Sequence, residues 1–240
     1  MSKTWNWGII GPGKIAHKFA QDIAKLDNAR LSAVASRSQD RADQFARQYG
    51  APYAYDSYEA LLKCPELDVI YIATPHSEHY RNTMACIEAG IPVLCEKAFA
   101  FNATEAREMA ELAQRKKVFL MEALWTRFLP TTQKILELIQ SDAIGRVVSV
   151  KADFGFKADY NPQSRLFNRE LAGGALLDIG IYPVFIASLM MGRPERIQAI
   201  ARMGQTGVDE ELGVLFQMGD GRMAHLHATL LAHTKTEAFI

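Results

Sequence analysis

The stretch WGIIGPGKIAHKF, residues 7–19, joins an apolar run to a glycine-rich turn and then to a helical pattern. Gly11, Gly13 and Ala16 have the spacing G-x-G-x-x-A. The first glycine permits a tight turn, the second lets the backbone approach a pyrophosphate, and the alanine allows close helix–sheet packing. The helix start then points its N–H groups at the anion. A plain strand-to-helix turn can have the same spacing, so the strands that follow decide between the two interpretations.

Short apolar runs alternate with helical patterns from Trp5 to about Met121, which is typical of a parallel sheet covered by helices on both faces. The runs are WNWGII, RLSAVAS, PYAY, VIYIA, IPVLC and VFLME. Helix boundaries are indicated by Ser38 with Gly50, by Ser77 with Gly90, and by Asn102 with Glu105 in a capping box. We therefore predict a doubly wound α/β domain over residues 1–122, with Gly11, Gly13, Lys14 and Ile15 beside a bound dinucleotide.

The pattern changes after residue 122, and we place a second domain over residues 123–240. TTQKILELIQ predicts a helix, RVVSVKADFGFK a strand with one buried face, and LAGGALLDIGIYPVFIASLMMG a largely buried helix. Two strand-like runs, RIQAIARMG and LGVLFQM, precede a hairpin turn at Asp220-Gly221. The order predicts an α+β domain with a mainly antiparallel sheet. The final HTKTEAFI reads as a further strand, so we expect the sheet to be incomplete at the C-terminus.

The 240 residues include 27 basic and 27 acidic side chains, so no net charge would attract nucleic acid or an acidic membrane. Because no signal-peptide pattern is present and no apolar run reaches about 18 residues, we expect a cytoplasmic protein. Cys64, Cys86 and Cys95 are odd in number and lack paired spacing. This predicts reduced core thiols rather than disulfides or a metal site.

The end of the second apolar run bears on the cofactor. An NAD site usually places Asp or Glu there to hold the ribose 2′-hydroxyl. This chain has Ser36, Arg37 and Ser38, and a guanidinium with hydroxyl groups suits a 2′-phosphate. We predict NADP rather than NAD, although a solvated helix-entry charge at Arg37 would have the same sequence.

Polar residues also follow other predicted strands, at the edge where doubly wound sheets bind ligands. Thr74, Pro75 and His76 follow VIYIA, and Glu96 and Lys97 follow IPVLC. Since adjacent side chains of a strand point to opposite sides, Glu96 and Lys97 can serve different partners.

In the second half, Asp178 and Tyr182 have the i, i+4 spacing of one helix face. A tyrosine has a pKa of about 10, so it accepts a proton at neutral pH only beside a cation or hydrogen-bond donors. Lys97 can be that cation, or can take the proton itself if burial lowers its pKa. A surface lysine and a core tyrosine are the commoner explanation for two such residues taken alone.

Two histidines and two residues near position 125 give weaker signals. His76 and His79 lack a third metal ligand, so a loop position beside the cofactor explains them better, with a helix-start hydrogen bond as the alternative for His79. Trp125 and Arg127 could hold cofactor or substrate, with core packing as the alternative for Trp125.

Aromatic residues of the second half are candidates for the substrate pocket. Phe154, Phe156 and Tyr160 could border it, although core packing is the better explanation for Phe154 and Phe156.

The glycine turn, ATPHSEH, CEK and GGALLDIGIYP, in this order and spacing, resemble the Gfo/Idh/MocA oxidoreductases over essentially the whole chain. MEALWTRFLP and a tyrosine at position 182 are most similar to the branch of dimeric dihydrodiol dehydrogenases and NADP-dependent xylose dehydrogenases. The resemblance implies a Rossmann domain and hydride transfer between the nicotinamide and a sugar or diol hydroxyl. It further implies Tyr182 as the acid/base with Lys97 and Asp178 assisting, and Glu96 near the nicotinamide ribose.

The resemblance also implies a homodimer that forms through the open sheet. One departure concerns the loop that carries Lys97, because Ala98 stands where the family motif has proline. The alternative function is an NADP-binding regulator or an inactive relative, which the retention of both Lys97 and Tyr182 disfavours.

Overall fold

The computed structural model describes residues 3–240. The chain divides into two compact units, Met1–Ala123 and Leu124–Ile240. We call them the N-terminal unit and the C-terminal unit and describe each by itself. The division falls one residue after the boundary placed from the sequence.

The N-terminal unit is built on six parallel strands in the order β3-β2-β1-β4-β5-β6. The strands are β1 (Trp5–Ile10), β2 (Ala29–Ala35), β3 (Tyr53–Tyr55), β4 (Val69–Ile72), β5 (Val93–Cys95) and β6 (Leu120–Glu122). The helices are α1 (Lys14–Ile23), α2 (Gln39–Tyr49), α3 (Tyr58–Leu61), α4 (His79–Glu88) and α5 (Ala103–Lys116). The strand order is that of a doubly wound dinucleotide-binding fold, which confirms the predicted fold class.

Both faces of this sheet are buried. Neighbouring residues of one strand belong to different cores, since Ile9 and Tyr71 pack on one side while Ile10 and Ile72 pack on the other. This is why the strands read as continuous apolar runs rather than as alternating ones.

The predicted helix starts have mixed outcomes. The Asn102 side chain accepts a hydrogen bond from Glu105 N at 3.0 Å, and the Glu105 carboxylate accepts one from Phe101 N at 3.1 Å, so the capping prediction is confirmed. Ser38 occupies the N-cap position of α2 without a side-chain cap bond. Ser77 as an N-cap was wrong, because His76–Glu78 forms a 3₁₀ turn and α4 begins at His79.

The C-terminal unit has a five-stranded sheet in the order β11-β7-β10-β9-β8. Its strands are β7 (Ser149–Gly155), β8 (Arg196–Met203), β9 (Asp209–Gln217), β10 (Met223–Thr229) and β11 (Ala238–Phe239). β10 pairs with β7 in parallel, whereas the other three pairs are antiparallel. The predicted mainly antiparallel sheet is confirmed, with a parallel pair that the sequence did not indicate.

One face of this sheet is covered by α7 (Ile181–Met191), which packs its Ala187 and Met190 into the same core as Val150, Val214 and Leu226. The remaining helix of the unit is α6 (Pro130–Gln140), whose Ile135, Leu136 and Ile139 pack against that core. The opposite face carries side chains such as Ile200, which is 80% exposed.

The hairpin turn predicted at Asp220-Gly221 is confirmed between β9 and β10. Gly221 N donates to Met218 O at 3.0 Å and Met218 N donates to Arg222 O at 2.9 Å, with Gly221 at φ +85°. Two other local predictions for this unit need correction. The final stretch forms only the two-residue strand β11. Leu176–Gly180 is a π-helix that precedes α7, so the predicted helix is not uniformly α-helical.

The segment Arg169–Met191 is long and apolar enough to cross a membrane by length and composition, so the statement that no apolar run reaches that length was wrong. Half of its most apolar window is buried inside the protein. The core helix of a globular unit has the same composition, and α7 packs as such a helix.

Candidate active site

The carboxyl ends of the strands of the N-terminal unit lie level with one another. Ile10 is paired with Ala35 and with Ile72, and Ile72 with Cys95. Cys95 is in turn paired with Glu122. The residues that follow these strands therefore meet at one edge of the sheet, which is the ligand-binding edge of doubly wound folds. This edge brings together the predicted residues after β1, β2, β4 and β5.

The glycine turn after β1 packs against the end of β4. Gly11 has φ +86°, and a Cβ atom there would lie 2.9 Å from Thr74 Cγ2, so glycine is required by both conformation and space. At Gly13 the nearest atom would be 3.9 Å away, which is ordinary contact. Gly13 is the N-cap of α1, a helix with no acidic residue in its first turn. Lys14 and Ile15 are exposed in that turn.

The end of β2 carries the residues predicted to select the cofactor. Ser36 is buried, and its hydroxyl accepts a hydrogen bond from Ser38 N at 3.3 Å. Arg37 is exposed. Burial raises the pKa of Tyr58, whereas Arg37, Arg41 and Arg81 lower it. Glu78 acts in the opposite direction and raises the pKa of Tyr58.

The loop after β4 is held from behind by His79. Its Nδ1 contacts Ala98 O at 2.8 Å and its Nε2 contacts Thr74 O at 3.0 Å. The side chain is fully buried, and burial lowers the pKa of His79 to about 4 against the effect of the two carbonyls. The predicted cofactor contact of His79 is thus corrected, because both ring nitrogens already face backbone carbonyls and the side chain joins two loops.

Thr74, Pro75 and His76 form this loop and the start of the 3₁₀ turn. Thr74 and His76 are buried, and the Thr74 hydroxyl accepts a hydrogen bond from the Asn82 side chain at 3.3 Å.

Glu96 and Lys97 follow β5 and are half-buried. The Glu96 carboxylate accepts hydrogen bonds from the Tyr71 hydroxyl and from Lys97 N, the latter at 3.2 Å. Glu122, which the sequence reasoning missed, accepts a hydrogen bond from Phe99 N at 3.0 Å. Burial raises the pKa of Glu122, and Glu96 raises it further while Lys97 lowers it. Glu96 and Glu122 thus lie at the ends of the neighbouring strands β5 and β6.

In the C-terminal unit, Tyr182 is held by two aromatic neighbours. The Trp125 indole donates a hydrogen bond to the Tyr182 hydroxyl at 3.2 Å, and the ring centroids of Phe154 and Tyr182 are 5.5 Å apart. Trp125 is 60% exposed, so core packing does not account for it. Phe154 contacts both the core and Tyr182.

Asp178 is buried in the π-helix and its carboxylate pairs with the Arg165 guanidinium. The i, i+4 argument assumed α-helical geometry between Asp178 and Tyr182, whereas the π-helical turn has a larger repeat. Arg165 gave no signal in the sequence, because it lies in an irregular segment 13 residues before its partner.

Three other residues of this unit have simpler surroundings. Arg127 lies in the 3₁₀ turn Trp125–Phe128. The Tyr160 ring contacts the Phe167 ring, with centroids 5.1 Å apart, and Tyr160 is half exposed. Phe156 packs against the core. Over residues 3–240, no group of three or more His, Cys, Asp or Glu side chains could hold a metal ion.

Comparison with known proteins gives a family for both halves of the chain. Residues 5–124 match the Gfo/Idh/MocA oxidoreductase family with its NAD-binding Rossmann fold, and residues 132–240 match the Gfo/Idh/MocA C-terminal domain. Trans-1,2-dihydrobenzene-1,2-diol dehydrogenase of Mus musculus is 39% identical over 238 residues, which cover 98% of this chain and 71% of that protein. The Danio rerio protein of the same name is 41% identical, with the same coverage.

Solved structures give the same result. KijD10, a 3-ketoreductase from Actinomadura kijaniata in complex with NADP and TDP-benzene, has a TM-score of 0.87 at 26% identity, covering 97% of this chain and 72% of that one. An aldose-aldose oxidoreductase from Caulobacter crescentus complexed with glycerol has a TM-score of 0.88 at 26% identity, covering 96% and 72%. Levoglucosan dehydrogenase in complex with NADH matches in fold, with a TM-score of 0.91 at 23% identity and coverage of 98% and 69%.

Proposed function

The chain belongs to the Gfo/Idh/MocA oxidoreductase family, and from this premise we propose that it is an NADP-dependent dehydrogenase of a small diol or sugar. The proposal is carried by a single observation, the glycine turn whose helix start is open to an anion. Similarity to trans-1,2-dihydrobenzene-1,2-diol dehydrogenases favours a vicinal diol as the substrate class.

The residues of the N-terminal unit fit a dinucleotide. Gly13 leaves space beside the start of α1, and this helix begins without a side-chain cap. Its N–H groups and dipole therefore suit a pyrophosphate supplied from outside. Gly11, Gly13, Lys14 and Ile15 would contact the phosphates. Further contacts along the edge of the sheet would come from Thr74, Pro75, His76 and Glu96. Trp125 and Arg127 of the C-terminal unit remain proposed cofactor contacts.

Preference for NADP is supported by positive charge and the lack of a carboxylate at the end of β2. Ser36, Arg37 and Ser38 occupy that position, and Arg41 adds a second guanidinium in the first turn of α2. A 2′-phosphate would bind to guanidinium and hydroxyl groups, whereas a bare 2′-hydroxyl gains little from them.

The cofactor assignment is tested by the ratio of KM values for NAD and NADP. Arg37→Ala and Arg41→Ala should each raise KM for NADP about tenfold and leave KM for NAD nearly unchanged, since a charge-assisted hydrogen bond contributes about 1.5–3 kcal/mol. Arg47→Ala, in the last turn of the same helix, is the control. A wild-type preference for NAD would contradict the assignment.

The catalytic residues we propose are Lys97, Tyr182 and Asp178. When bound, NADP would supply the hydride acceptor. Tyr182 would accept the proton of the substrate hydroxyl, with the Lys97 ammonium favouring the charged form of the phenol. Asp178, buried against Arg165, would orient this end of the helix. Phe154, Tyr160 and Trp125 would border the substrate.

Replacing Lys97 by methionine tests this assignment. Lys97→Met and Tyr182→Phe should each lower kcat by about 10²–10⁴-fold, the usual contribution of general acid–base catalysis. NADP binding, measured by quenching of intrinsic fluorescence, should stay within a few-fold of the wild-type protein. Lys63→Met, at an exposed position, is the matched control and should change neither quantity. Normal turnover of Lys97→Met would overturn the assignment.

A regulator that binds NADP without turnover is the second candidate function. A panel of trans-dihydrodiols, aldoses and inositols separates the two, because only an enzyme reduces NADP to its absorbing form. Binding of NADP with no oxidation of any panel member would favour the regulator.

We also propose a homodimer through the open face of the C-terminal sheet. A shallow cavity of about 900 Å³ lies over this face, where Ile200 is 80% exposed and Leu215 is 36% exposed. Exposed apolar residues on one sheet face are typical of an interface. Ile200→Glu should produce a monomer in sedimentation velocity, whereas Val148→Glu, exposed outside the sheet, should not. The cytoplasmic location remains a prediction.

A further inference from the structure

The helix that carries Asp178 and Tyr182 begins on a carboxylate from a different element. Asp209, the first residue of β9, accepts a hydrogen bond from Leu176 N at 2.6 Å. Burial raises the pKa of Asp209, and the backbone hydrogen bond from Leu176 lowers it. The carboxylate thus binds the first N–H group of the π-helix and supplies the negative charge that a helix N-terminus favours.

The glycines before this helix leave space for the carboxylate and for the partner of Asp178. Gly174 has φ +118°, and a Cβ atom there would lie 2.2 Å from Asp209 Oδ1. A Cβ atom on Gly173 would lie 2.8 Å from Arg165 O. Arg165 in turn pairs with Asp178. The paired glycines therefore let the segments of Asp209 and Arg165 approach the start of the helix. The Asp209 side chain binds Leu176 N, and the Arg165 side chain binds Asp178.

Anchoring matters here because the first turn is π-helical. A π turn is less regular than an α turn and persists where surrounding contacts fix it. Leu176, which Asp209 binds, opens the π turn that contains Asp178, and Tyr182 follows in the first turn of α7. A shift at Leu176 would rotate both side chains together and would alter the contact between Trp125 and Tyr182.

We propose that Asp209 is a positioning residue for Tyr182 and Asp178, acting through the π-helical turn rather than by contact with substrate. Its effect on turnover rests on the proposed function, whereas its effect on the orientation of Tyr182 does not. A displacement of about 1 Å in a positioned group can lower a rate about 10²-fold.

The orientation of Tyr182 can be measured without any substrate. The Trp125 indole N–H, which donates to the Tyr182 hydroxyl, gives a resonance in a spectrum of ¹⁵N-labelled tryptophan, and a Trp125→Phe variant assigns it among the three tryptophans. Asp209→Ala should shift or broaden that resonance and lower kcat by at least tenfold, with NADP affinity nearly unchanged. Asp209→Asn keeps an acceptor oxygen, so its kcat should lie within about threefold of the wild-type value. Its indole resonance should be displaced only slightly from the wild-type position.

Asn102→Ala is the matched control, since Asn102 caps α5 in the N-terminal unit in a comparable way. It should lower stability but leave the indole resonance and kcat unchanged. If Asp209→Ala does not fold, Asp209→Glu gives the same test, because the longer side chain keeps the charge but has no space beside Gly174. A folded Asp209→Ala or Asp209→Glu protein with unchanged indole resonance and kcat within twofold of wild type overturns the proposal.

Tyr182→Phe separates the two conclusions. If Tyr182→Phe turns over normally while Asp209→Ala still shifts the indole resonance, the proposed acid/base role fails and the positioning of Tyr182 by Asp209 stands. If Tyr182→Phe loses turnover while Asp209→Ala keeps both readouts, the inference about Asp209 fails alone.

Discussion

Two glycine-rich turns precede helices whose N-termini have opposite surroundings. After Gly13, helix α1 begins with no side-chain cap and no acidic residue in its first turn. After Gly174, the helix begins on the Asp209 carboxylate. Since both helix starts favour negative charge, the first suits an anion from outside, whereas the second is already satisfied by the protein. The first turn is therefore suited to binding and the second to orientation.

Space around the glycines shows the same difference. A Cβ atom on Gly13 would have 3.9 Å to its nearest neighbour, whereas one on Gly174 would lie 2.2 Å from Asp209 Oδ1. Glycine at position 13 therefore leaves space for a ligand, whereas glycine at position 174 leaves space for the Asp209 carboxylate of the folded protein.

The largest effect is expected from Gly174→Ala, which should lower the free energy of unfolding by roughly 2 to 4 kcal/mol in urea titrations. The positive φ costs an alanine about 1–3 kcal/mol, and displacing the carboxylate removes a cap of about 1 kcal/mol. Gly50→Ala is the control, because Gly50 also has positive φ, at +70°, but no atom within 4 Å of its Cβ position. Equal losses at the two positions would mean that Asp209 plays no part.

A somewhat smaller effect concerns the residue that supports the first turn. His79 contacts Thr74 O, and Thr74 packs on Gly11. Because the pKa of His79 falls from 6.5 in the unfolded chain to about 4 in the fold, its neutral form stabilises the protein above pH 6.5, and this stabilisation is lost as the pH falls towards 4. The loss amounts to about 3 kcal/mol by the lower end of this range.

The measurement compares urea unfolding at neutral and acidic pH. His79→Asn should be less stable at neutral pH and should lose about 3 kcal/mol less than wild type over the same range. His233→Asn, at an exposed position, should keep the wild-type slope. An unchanged slope in His79→Asn would show that folding does not lower the pKa of His79 and would contradict the prediction.

Gly13→Ala should weaken NADP binding about tenfold, corresponding to roughly 1.4 kcal/mol, while the free energy of unfolding stays within about 1 kcal/mol of wild type. The reason is that the methyl group meets the ligand rather than the protein. Gly11→Ala, whose Cβ would lie 2.9 Å from Thr74 Cγ2, should lose both binding and stability. Isothermal titration and urea unfolding give the two quantities, and a stability loss at Gly13 equal to that at Gly11 would contradict the comparison.

The sequence predicted most of the first turn and little of the second. Gly11, the strands and the capping of α5 depend on residues close together in the chain, so spacing and periodicity reveal them. Asp209 lies 33 residues from Leu176, and Arg165 pairs with Asp178 across an irregular segment. Such partners meet only through tertiary packing, which leaves no periodic signal.

Two other errors have related causes. Ser77 has the residue type of an N-cap, but helix α4 begins at His79 instead. The buried His79 ring contacts the carbonyl groups of Thr74 and Ala98, and these contacts are not visible in the local sequence. The parallel pairing of β10 with β7 depends on the path of a long connection, which local alternation of apolar residues does not define.

The smallest effect is expected at a third helix start, that of α5, which is capped but lies outside the proposed active site. Asn102 accepts a hydrogen bond from Glu105 N at 3.0 Å, and its helix α5 carries none of the proposed catalytic residues. Asn102→Ala should lower the free energy of unfolding by about 1 kcal/mol in urea titrations, with kcat unchanged. Because the Glu105 carboxylate still accepts from Phe101 N, part of the cap persists and the loss should not be larger. A decrease in kcat of more than twofold in Asn102→Ala would mean that the loss of any helix cap slows the enzyme. A lower kcat in Asp209→Ala would then reflect a general loss of stability, and the specific positioning role of Asp209 would be contradicted.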